Sequence, residues 1–63
     1  MCESTVYVLK GGKRTVFMKE VARIDVRGKK FICQDILGEG KELEGVALAG
    51  INLVGHEILF ERL

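Results

Sequence analysis

The chain has 63 residues, ten basic and nine acidic, for a net charge of +1. That length holds one domain, residues 1–63, with a marginal core, and the balanced charge argues against a protein that grips nucleic acid through its phosphates. No apolar run approaches the roughly 20 residues that span a bilayer, and no apolar stretch of the signal-peptide kind follows Glu3.

Residues 3–10 read as a strand, because Val6, Tyr7, Val8 and Leu9 prefer extended backbone. The alternation puts Cys2, Ser4, Val6 and Val8 on one face. Gly11-Gly12 predicts a tight hairpin turn, and residues 13–18 return as a second strand. Lys19-Glu20 is a polar break. Residues 21–27 then alternate cleanly: Ala22, Ile24 and Val26 form the face to be buried, and Arg23, Asp25 and Arg27 the wet one.

Gly28-Lys29-Lys30 predicts the next turn. Residues 31–37 are apolar on both faces, which suits a central strand, and Cys33 within them reads as a small core hydrophobe. Gly38-Glu39-Gly40-Lys41 is a further turn. Residues 42–48 resume an extended pattern with Leu43, Gly45 and Ala47 in phase, and the internal glycine suggests a bulge or bend. Ala49-Gly50 breaks the chain again before residues 51–54. Residues 56–62 form the last strand, with His56, Ile58 and Phe60 on one side. The prediction is therefore an all-β domain: a small antiparallel barrel or a strongly bent sheet of six to seven short strands. A core this small with open strand edges is often completed by a second copy, so a homodimer is expected.

Little in the chain is arranged for catalysis. The one histidine, His56, would have to serve any triad, and nothing in the sequence places Ser4, Cys2 or Cys33 beside it. No glycine-rich loop leads into a helix, so phosphate-binding fingerprints are missing, and an enzyme is not expected. A nucleic-acid reading would use Arg23, Arg27, Lys29 and Lys30 with Tyr7 or Phe17 as stacking platforms. Asp25 interrupts that patch, and Glu39, Glu42 and Glu44 follow closely, so the simpler reading is a solvated face of mixed charge.

Zinc-type ligand spacing is missing, but the start of the chain, Met1-Cys2-Glu3, offers a different chelate. With Met1 retained, its amine, the Cys2 amide nitrogen and the Cys2 thiolate form two fused five-membered rings. With Met1 removed, the Cys2 amine and thiolate form one ring and the Glu3 amide adds a second. Either set is planar and mixes nitrogen with sulfur, which suits nickel(II) or copper(II).

Met1-Cys2-Glu3-Ser4-Thr5-Val6-Tyr7 resembles the CooT-like family of small nickel-binding proteins. So do Met18-Lys19-Glu20-Val21-Ala22-Arg23-Ile24, Asp35-Ile36-Leu37-Gly38-Glu39 and Gly55-His56-Glu57-Ile58. The resemblance covers nearly the whole chain, and its Met-Cys-Glu start is the most specific part. It implies a cytoplasmic, homodimeric protein in which Cys2 is the nickel ligand. It also implies a part in nickel delivery to an enzyme-maturation client, carbon monoxide dehydrogenase. The runner-up, also attached to such chains, is a small β-barrel RNA-binding protein.

Overall fold

In the computed structural model, which describes residues 3–63, six strands form one sheet. They are β1 (Ser4–Lys10), β2 (Lys13–Arg27), β3 (Lys30–Asp35), β4 (Gly40–Glu44), β5 (Val46–Asn52) and β6 (Glu57–Arg62). Their order across the sheet is β4-β3-β2-β1-β6-β5. The bent all-β sheet is as expected, with one exception to its antiparallel character: β1 and β6 run parallel, from Thr5 against Glu57 to Leu9 against Glu61.

Gly11 and Gly12 make the first turn with φ of 59° and 78°. Two successive left-handed residues twist a two-residue turn the way the flanking strands twist. The expected break at Lys19-Glu20 is instead a kink within one fifteen-residue strand. Glu20 takes φ 56°, and the registers with β1 and β3 both slip close to it. The kink lets β2 serve two partners: residues up to Val21 pair with β1, and residues from Val21 onward pair with β3 on the opposite edge.

β3 ends at Asp35, so Ile36 and Leu37 lie in the following loop, and β3 sits next to the edge strand rather than at the centre. The stretch expected as one strand over residues 42–48 is divided by Gly45, at φ 74°. That bend reverses the alternation, so Leu43 and Val46 both point into the core. Because β4 and β5 are the two outer strands, Gly45 joins the edges of the sheet at one corner. The Leu63 N–H donates to the Gly45 carbonyl at 3.0 Å, and Arg62 Nη1 donates to the Glu44 carbonyl at 2.8 Å. Elsewhere the sheet stays open, as a barrel with one unsealed side.

The core is Val6, Val8, Met18, Val21, Cys33, Leu43, Val46 and Phe60, and no polar side chain is buried among the described residues. Phe31 leans on Phe60 with ring centroids 4.6 Å apart and planes at 52°. A fully buried side chain of this class stabilises by about 1.5–3 kcal/mol. Eight such residues make a small core for a chain this size.

Candidate functional site

The start of β1 is where the residues predicted to chelate a metal attach. Met1 and Cys2, the predicted metal donors, lie outside the described residues; Glu3 is half-buried and precedes the first strand. The Thr5 N–H donates to the His56 carbonyl at 2.9 Å, which ties this end to the turn between β5 and β6. Val6, the next residue, is fully buried and anchors β1 in the core.

Ser4 also borders an apolar groove of about 270 Å³ along the unsealed side of the barrel. Its walls are Ile24 and Val26 of β2, Leu48 and Ile51 of β5, and Ile58 of β6. This corrects one expectation. Ala22, Ile24 and Val26 do share an apolar face, but the chain does not cover it: Val26 is 66% exposed and Ala22 is exposed. The reason is topological. Pairing of β1 with β2 stops at Ser4 opposite Val21, so among the described residues no strand lies against the second half of β2 on that side.

The other candidates separate. Cys33 is fully buried on β3, with β2 and β1 between it and β6. Burial pushes its thiol pKa up, because a thiolate there would lose its hydration. Cys33 is therefore a packing residue and cannot partner His56. Ser4 and His56 do meet at one end of the sheet, which the sequence did not reveal. His56 is exposed, and among the described residues no hydrogen bond joins the two side chains. Nor do three His, Cys, Asp or Glu side chains converge on a common point among the described residues.

Two of the four cations of the basic patch are engaged. Arg23 donates to Asp25 at 3.2 Å, and Lys30 lies 3.7 Å from Glu42. The aromatic rings suggested for base stacking already carry cations: Arg14 sits 4.4 Å over Tyr7 and Lys41 5.5 Å over Phe17. Arg14 also reaches Glu57 at 3.8 Å.

Two loops hold apolar pairs in water, where the sequence suggested a strand through Leu37 and an apolar piece over residues 51–54. Leu37, after Ile36, is 81% exposed; Val54, after Leu53, is 92% exposed.

Comparison with known proteins gives three results. The family model described as CO dehydrogenase accessory protein CooT matches residues 1–61. A crystal structure assigned to CooT from Carboxydothermus hydrogenoformans superposes with a TM-score of 0.87 at 26% identity, covering 98% of both chains. An uncharacterized protein of Archaeoglobus fulgidus is 43% identical over 44 residues, which is 70% of this chain and 96% of the relative.

Proposed function

Since the chain belongs to the CooT family of CO dehydrogenase accessory proteins, we propose that it carries nickel(II) to that enzyme, with Cys2 as the thiolate donor. Its role is accessory rather than enzymatic. The remaining donors are the backbone nitrogens of Met1, Cys2 and Glu3, in the planar nitrogen–sulfur set that suits nickel(II). The metal is cargo, held at a chain end from which it can be passed on. Binding releases the thiol proton, so affinity rises with pH. A working thiolate requires a reducing compartment, and we place the protein in the cytoplasm.

The observation that carries this reading is the position of Ser4. It stands on the rim of the apolar groove, and covalent geometry keeps Cys2 within about 7 Å of it. We propose that a second copy covers the groove and forms a homodimer. The accessible surface of 4544 Å² supports this; a monomer of 7.0 kDa typically shows about 4,000 Å². A two-fold axis near the groove brings the two chain ends toward each other, so that one nickel ion takes a thiolate from each. The RNA-binding alternative has less support, because the stacking rings and two of the four cations of the basic patch, Arg23 and Lys30, are already paired.

The test is competitive titration of nickel, copper, zinc and cobalt into the parent and Cys2→Ser proteins, with the N-terminal mass measured. Tight nickel binding is expected in the parent and lost in Cys2→Ser, with an unchanged circular dichroism spectrum. Equal nickel affinity in the two proteins would overturn the reading. One nickel per monomer, unaltered when the dimer is disrupted, would remove the shared site alone.

A further inference from the structure

We propose that the two exposed apolar pairs, Ile36-Leu37 and Leu53-Val54, are docking pads for CO dehydrogenase, and that they straddle the chain end bearing Cys2. This inference rests on the carrier reading and adds to it the surface that finds the client.

Both loops lie at one end of the sheet. The Ile36 N–H donates to the Glu20 carbonyl at 3.0 Å, and the Thr5 N–H to the His56 carbonyl at 2.9 Å. Across that end the order is therefore the β5–β6 turn, the start of β1, the kink of β2 and the β3–β4 loop. Three strand spacings separate the two pads, about 14 Å along a flat sheet. The start of β1 emerges between them.

Each loop is bridged by the side chain that opens it. The Asp35 carboxylate accepts from the N–H groups of Leu37 and Glu39, at 3.0 and 2.9 Å. The Asn52 side-chain oxygen accepts from the Gly55 N–H at 2.9 Å. These bonds restrict the backbone around Leu37 and Val54, and any such restriction lowers the ordering cost of a partner's binding. Neither pad lines the groove assigned to the second copy.

The charge around the pads selects the partner. Glu3 lies between them, with Glu20 and Glu39 flanking the Ile36-Leu37 loop; Lys19 is the one cation adjoining Glu20 in the chain. Glu20 and Glu39 form no ion pair with a described residue. The surface fits a protein face that offers apolar hollows framed by lysine or arginine. Complementary charge of this kind chiefly raises the rate and specificity of encounter.

The experiment immobilises nickel-free CO dehydrogenase from the same source and measures binding of the parent, Leu37→Ser/Val54→Ser, Glu39→Lys and Cys2→Ser proteins. The two substituted apolar side chains are mostly in water, so folding should survive. The double variant is expected to bind at least tenfold more weakly, and Glu39→Lys to bind more slowly, while nickel titration and sedimentation match the parent. No binding by the parent, or equal binding by the double variant, overturns the pads. A changed oligomeric state in the double variant would instead assign them to the second copy, which also overturns the proposal. Failure of the carrier reading looks different: Cys2→Ser would keep nickel, whatever the enzyme-binding result.

Discussion

The Thr5 N–H and the His56 carbonyl oxygen are 2.9 Å apart, and His56 makes this bond with φ at 54°. A left-handed conformation costs a non-glycine residue about 1 kcal/mol, and glycine removes that cost while adding freedom to the unfolded chain. His56→Gly keeps the bond, because it is a backbone bond. The variant should be more stable by about 0.5 kcal/mol, or roughly 2–4 °C in Tm for a domain this small. Thermal unfolding measures it; a lower Tm would mean that the imidazole itself holds something.

Val26→Asp addresses the groove. The side chain is 66% exposed in one copy, so the substitution should leave the fold alone. Placed under a second copy, the carboxylate would be desolvated without a partner, which costs several kcal/mol. Sedimentation should show a dimer for the parent and a monomer for the variant at micromolar concentration. The Tm of the variant should also lose its dependence on protein concentration.

Cys33 links stability to alkaline pH. Its folded pKa lies above the ordinary thiol value, so below that ordinary value both folded and unfolded chains hold the proton and pH has no effect through it. Above it the unfolded chain ionises first, and folding loses up to about 1.4 kcal/mol per pH unit. Urea unfolding at pH 8 and pH 10 should show a steeper loss for the parent than for Cys33→Ala. In the folded protein the Cys33 thiol should also resist thiol reagents at neutral pH.

Asp35→Ala removes the acceptor of two loop N–H groups that are otherwise left to water. Exposed bonds of this kind contribute about 0.5–1.5 kcal/mol each, so a loss of about 1–2 kcal/mol is expected. Hydrogen exchange should speed up at the Leu37 and Glu39 amides while the Val6 amide, in the core, changes only with global stability.

These features were legible in the sequence to different degrees. The alternation around Val6 and Val8, and around Ile58 and Phe60, marked two strands and their inward faces because it depends on neighbours alone. Gly11-Gly12 likewise carries its turn in two residues. Gly45 was harder: its positive φ reverses the alternation, so Val46 enters the core where local phase had placed Ala47. The parallel pairing of β1 with β6 joins residues some fifty positions apart, beyond the reach of any local pattern. The Ala22, Ile24 and Val26 stripe announced an apolar face, but periodicity cannot say whether the same chain will cover it. For Cys2, its place beside the terminal amine suggests a chelate and the family resemblance suggests nickel; the residue itself lies outside the described part of the chain.

The parallel β1–β6 pair also fixes the polarity of the whole molecule. Strands running the same way put the first residue of one and the last of the other at opposite ends, here about 20 Å apart. Ser4 opens at one end, and Leu63 leaves at the other beside Gly45. Anything joined beyond Leu63 therefore emerges behind the molecule, away from the proposed nickel site. A surface tether or reporter attached there would leave the Ser4 end facing solution, whereas the same attachment before Met1 would block it.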